Sequence, residues 1–266
     1  MANRIFGLVV TLIFAAMPIA ALSSATHAQN AQQAPSTAAP ARDPSGVWTL
    51  KVNQDVNLDD RESPGGTIPP MTAWANALYD AEKPGSGRKA APGGNDPILQ
   101  CDPVGFPRIL FFPTPFEFIP IPGRILQAFE RDHIVRVIWM DGRPLPKDAA
   151  DTPLWYGYSV GKWEDDYTLV VETAGLDDRT WLGASGYPHS TSMVVEERYR
   201  RVDHDTIQYS LTMTDPVAYT RPWIGATRAL TLKPRTEIPQ NLCVWSEENS
   251  FTQRIRIPAA EPAPSR

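Results

Sequence analysis

Prolines set the first limit on what this chain can fold into. Its 266 residues contain 27 of them, about one in ten and roughly twice ordinary usage. Proline removes a helix hydrogen bond and its ring collides with the turn before it. It is tolerated in turns and at sheet edges. A mainly helical fold is therefore excluded. Eight Trp, eight Tyr and nine Phe supply the large side chains for a β-rich core. A charged content of 21% with 42% hydrophobic residues belongs to a folded protein rather than a disordered one.

The first 28 residues have the pattern of a secretory signal. Arg4 gives a positive start, residues 5–22 are almost wholly apolar with Pro18 interrupting them, and small residues lead to a cleavage site after Ala28. No second apolar stretch has the length of a membrane span. The expectation is a periplasmic or secreted protein with no stable membrane anchor after signal removal. Without the signal the chain has 24 basic and 30 acidic residues, a net charge of −6, which gives no electrostatic case for nucleic acid as a partner. Residues 29–42 are rich in Gln, Ala, Pro, Ser and Thr and read as a disordered linker, and 258–266 as a flexible tail. One domain is expected over residues 43–257. Cys101 and Cys243 are the two cysteines. In an oxidising compartment such a pair is expected to bond, for roughly 4 kcal/mol by the chain-entropy argument.

Trp48, Leu50, Val52 and Val56 alternate with polar residues as in a half-buried strand. Met71, Trp74, Ala75 and Leu78 recur at helical spacing, after Pro70 and before Pro84 and Gly85, and form one face of a predicted short helix. Beyond residue 105 the pattern is strands and turns. Strands are expected at 116–121, 124–130, 133–140, 155–160, 167–173, 191–202, 206–214, 228–233 and 241–245, with a turn at Gly161 and Lys162. In 206–214, Ile207, Tyr209, Leu211 and Met213 alternate with polar residues, so one face is buried. The fold class is mainly β: a single antiparallel barrel, lipocalin-like or calycin-like, with one short N-terminal helix and long Pro-rich loops.

Gly46, Val47 and Trp48 match the GxW signature of lipocalins. The triplet resembles that family's first strand, where the Trp packs across the base of an antiparallel barrel, and it implies architecture only. Across residues 95–257, the runs NDPILQCDPVGFPRILFFPTPFEF, WYGYSVGKWEDDYTLVVET, LDDRTWLGASGYPHS and ERYRRVDHDTIQYSLTMTDPVAYTRPW resemble a family of uncharacterised secreted bacterial proteins. That resemblance implies secretion and fold, and it carries no reaction and no catalytic assignments.

Motifs for zinc proteases, serine hydrolases and P-loops are absent. Residues 85–90 match GxGxxA by letter but follow a helix, the wrong context for a dinucleotide. No cofactor is expected. His133, His189 and His204 have no spacing that demands a metal, and none is expected. The densest chemistry lies between two strands, in Asp177, Asp178, Arg179, Trp181 and His189. Scaffold-held loops are where function concentrates, and a histidine oriented by a carboxylate is a general-base pattern. Ser190 follows His189 directly, and neighbours on an extended segment point apart, so they make no nucleophile–base pair. Glu197 shares an inward face with Met193, Val195 and Tyr199; it is an acid, a ligand anchor, or the partner of an inward Arg201 or Arg136. Tyr219 and Trp223 add aromatic area beyond a strand end. The structural alternative makes the loop's Asp a turn former, Arg179 its ion partner and the aromatics plugs of the barrel end.

Three functions compete. The leading one is a secreted, noncatalytic lipocalin-like protein that binds a small, partly apolar molecule inside the barrel. The second is a periplasmic hydrolase or lyase working through Asp177, Asp178, His189 and Glu197. The third is an envelope interaction module without a pocket, favoured by a barrel filled with its own side chains.

Overall fold

In the computed structural model, which describes residues 38–51, 62–85, 89 and 94–257, the alternating segments become ten strands. In chain order they are β1 (Gly46–Leu50), β2 (Phe116–Ile121), β3 (Arg124–Phe129), β4 (Val135–Trp139), β5 (Tyr158–Trp163), β6 (Thr168–Ala174), β7 (Val194–Arg201), β8 (Thr206–Thr214), β9 (Trp223–Ile224) and β10 (Arg228–Leu232). The helices α1 (Ala73–Ala81) and α2 (Trp245–Phe251) lie outside the sheet. Strands β1 to β8 are neighbours in order, and β10 closes the circuit by pairing with both β1 and β8. The result is a closed nine-stranded barrel. The tenth strand, β9, adds to β8 at Thr212 and Met213. The predicted signal (1–28), all but residues 38–42 of the linker, and the 258–266 tail lie outside the described residues.

Nine strands cannot all alternate in direction around a closed circuit. One joint must be parallel, and it is β4 with β5, paired at Ile138 with Ser159 and Trp139 with Val160. The other joints are antiparallel. The expected barrel stands, with its antiparallel pattern corrected at this joint. Residues 140–157 make the crossover that a parallel pair requires.

Period two selects the core. Ile207, Tyr209, Leu211 and Met213 of β8 are each at most 2% exposed. Trp48, Phe116, Phe118, Ile138, Leu169, Val171 and Val195 are buried from the other strands. Each such side chain contributes about 1.5–3 kcal/mol relative to leaving it in water. Segment 104–112 adds Val104, Phe106, Ile109 and Leu110, also buried. The Phe111 ring meets the inward Tyr209 with centroids 6.3 Å apart. Arg108 fastens this segment from its other side. Its guanidinium meets Asp96 through two bonds of 2.8 and 2.7 Å and Glu62 at 2.6 Å.

The lipocalin-like triplet behaves as the resemblance implies. Trp48 is fully buried, its indole N–H donates to the Pro44 carbonyl at 2.9 Å, and Arg201 lies over its ring at 4.8 Å. Gly46 has a φ of +115°, and a Cβ there would meet the Leu232 side chain at 2.7 Å, so only glycine fits.

Helix α1, capped by Thr72, buries Ala75 but leaves Trp74 and Leu78 about two-fifths exposed, at 40% and 38%. Further expectations are corrected. β5 runs straight through Gly161 and Lys162, and the chain turns at 164–167 instead, where Asp165 accepts from the Tyr167 amide. Residues 241–245 are not a strand; the chain there enters a second helix, α2, with no buried residue. Cys101 and Cys243 are bonded, with Cα atoms 5.4 Å apart. No helix among the described residues is long and apolar enough to cross a membrane.

Candidate functional site

The loop from β6 to β7 turns inward as a plug. Asp177 accepts from the Arg179 amide at 3.1 Å and its guanidinium at 2.9 and 2.6 Å. Those bonds hold its carboxyl below the usual range. The Arg179 side chain is largely exposed and lies on the Trp155 ring at 4.1 Å. Asp178 is exposed and Trp181 is buried.

His189 is fully buried. Its Nδ1 lies 3.1 Å from the Ser190 carbonyl and its Nε2 2.8 Å from the Thr180 hydroxyl. A carbonyl only accepts, so Nδ1 carries the proton, and the single Thr180 hydroxyl proton lies between Nε2 and the Asp177 carbonyl, 3.0 Å away. Burial pushes the imidazole pKa down. Both nitrogens are thus engaged by protein. Ser190 turns away from the ring: its amide and hydroxyl donate to Asp215 at 2.6 and 2.8 Å. Asp215 also accepts from the amides of Val217 and Ala218, each at 3.1 Å.

Tyr219 donates to the Pro188 carbonyl at 2.8 Å, and Trp223 to the Gly65 carbonyl at 2.8 Å. Tyr187 stacks on Tyr79, with centroids 5.0 Å apart, and meets Trp223 edge-on. Asp177, Trp181, His189, Tyr219 and Trp223 therefore share one region and are partnered or packed within the protein. Asp178 and Arg179 face solvent.

Glu197 lies elsewhere, in the bore, facing Arg136 from β4. The carboxylate accepts from Arg136 Nη2 at 2.5 Å and Nη1 at 3.4 Å. It also accepts from Tyr199 at 2.5 Å and Tyr209 at 3.3 Å. Arg136 donates further to Gln127 at 3.0 Å, Ser159 at 2.9 Å and Thr173 at 2.7 Å. Its face is capped by the Phe106 ring at 3.9 Å. Burial raises the Tyr199 and Tyr209 pKa values well above the ordinary phenol, so both remain donors. Burial works against the Arg136 charge, and Glu197 more than restores it. Glu197 has the inward arginine expected for it, and Arg136 rather than Arg201 is the partner.

At the Trp48 end lies an open cleft of about 480 Å³, within the range of small-molecule sites. It is lined by Arg201, Lys233, Arg235, Asp43 and Glu117 with apolar Val47, Leu232 and Pro234. None of the loop residues singled out from the sequence lines it. Nothing in the sequence marked this site, because four separate segments build it: the approach to β1, β2 at Glu117, the end of β7 and the exit of β10. Nor were Arg108, Asp96 and Glu62 marked; their only signal was charge scattered in loops. Among the described residues no group of three or more His, Cys, Asp or Glu is placed to hold a metal.

These features define a lipocalin-like β-barrel with an ionic network in the bore and an open cleft at its base. Comparison with protein-family models and with curated proteins finds no match.

Proposed function

We propose that this chain is an exported, noncatalytic binding protein that takes a small, partly apolar molecule at the cleft beside Trp48 rather than deep in the bore. One contrast carries this reading. The bore positions are buried and bonded to one another, while the cleft combines apolar walls with Arg201, Lys233 and Arg235, which form no ion pair among the described residues. Export is supported by the N-terminal signal pattern and by the Cys101–Cys243 bond; the resemblance to secreted bacterial proteins agrees with it. Against a hydrolase or lyase stands the engagement of His189, Asp177 and Glu197 by protein groups. Against nucleic acid stands the acidic net charge.

The test is a ligand-observed NMR fragment screen on the exported protein, repeated on a Thr236→Trp variant that fills the cleft. Fragments should bind the wild type and lose binding in the variant. Binding that survives Thr236→Trp but is lost in Asp178→Ala with Arg179→Ala would move the site to the β6–β7 loop and reject this reading.

A further inference from the structure

Resting on the cleft reading above, we infer that the molecule taken there is an anion: an oxyanion head group on a short apolar body. Arg201 is 7% exposed and sits at the cleft floor. Its Nη1 donates to the Asp43 carbonyl at 2.7 Å and its Nη2 to the His204 carbonyl at 2.5 Å. Its Nε has no partner, and no carboxylate of the described residues forms an ion pair with it. The two other buried guanidiniums among the described residues, Arg108 and Arg136, each have a carboxylate within 2.7 Å. Two carbonyls and the Trp48 ring hold this buried cation with no carboxylate in contact, which leaves its direct counter-charge to be supplied.

The rim adds to the imbalance. Lys233 and Arg235 are exposed and form no ion pair among the described residues. Unpaired cations around a cleft draw anions in. Two carboxylates oppose them. Asp43 is engaged by the Ser45 amide at 2.8 Å, and Glu117 also lines the cleft. Asp43, Asp205 and Asp203 act on Arg201 at longer range without forming an ion pair, and His204 is paired with Asp205. Among the residues that line the cleft, three cations stand against two carboxylates. Val47, Leu232 and Pro234 supply the apolar wall, which a bare inorganic anion would not use.

The probes are hexanoate, hexylammonium, hexanol and inorganic phosphate, titrated at low salt by saturation-transfer NMR and Trp fluorescence. Hexanoate should bind best and weaken as salt rises. A Lys233→Glu/Arg235→Glu variant, changed only at exposed positions, should bind hexanoate at least tenfold more weakly with an unchanged melting temperature. Hexylammonium or hexanol binding as well as hexanoate, with all binding lost in Thr236→Trp, would keep the cleft and overturn the anion. Phosphate binding as tightly as hexanoate would overturn the apolar body. No binding by any probe, or binding indifferent to Thr236→Trp, would overturn the cleft itself.

Discussion

A buried ion pair and a buried histidine carry the residue-scale consequences. Removing one partner of a fully buried ion pair leaves the other charge stranded, at a cost of about 3–5 kcal/mol. Glu197→Leu and Arg136→Met should each lower stability by that order in urea unfolding. The double substitution should recover most of it, because neither charge is then left alone. His189 gives a pH signature. Its folded pKa is depressed by burial, so between the unfolded value, about 6.5, and the lower folded value the unfolded chain binds the extra proton. Stability therefore rises with pH in that window. It is full above about pH 6.5 and is lost as pH falls towards the folded pKa. The melting temperature of the wild type should drop on that acid limb, and His189→Asn should flatten it. An identical slope in the variant would show that another group titrates there.

Among the elements, the β6–β7 plug depends on Asp215, which gathers two donors from Ser190 and the amides of Val217 and Ala218. Asp215→Ala should destabilise by about 1–3 kcal/mol for each donor left buried and unpaired, measured by calorimetry. Asp178→Ala, at an exposed position, should change it little. The strands were readable because period two survives in β2, β3, β7 and β8 without any knowledge of their neighbours. The parallel joint was not, since strand direction around a circuit is a property of the closed set. Glu197 was readable as inward from Val195 and Tyr199, and so was its rivalry between two arginines. Depth decided between them: Arg201 ends β7 at the barrel base, while Arg136 sits at mid-bore. The inward packing of the loop was not readable, because polar side chains look alike whether they meet water or backbone. Only folding showed that His189 and Asp215 spend their bonds internally. Helix α1 kept its apolar stripe, yet the plug covers only the Ala75 side.

At the scale of the molecule, the Cys101–Cys243 bond spans 142 residues and encloses β2 to β10. Replacing both by Ser should cost up to about 5 kcal/mol by the chain-entropy argument. It should also free α2, which buries no residue, to rapid proteolysis before the barrel unfolds. The parallel joint has a further consequence. Its wall is sewn by backbone at two residue rows only, Ile138 with Ser159 and Trp139 with Val160, which makes it the seam where the staves would first part. Arg136 projects from one stave of that seam and bonds to Ser159 on the other and to Thr173 on the next. The charged cluster thus acts as a clasp across the weakest stitch of an odd-numbered hoop. An Arg136→Met/Glu197→Leu protein that regains its urea midpoint should still exchange its 135–139 and 158–160 amides faster than the parent, because apolar packing restores cohesion but not the clasp.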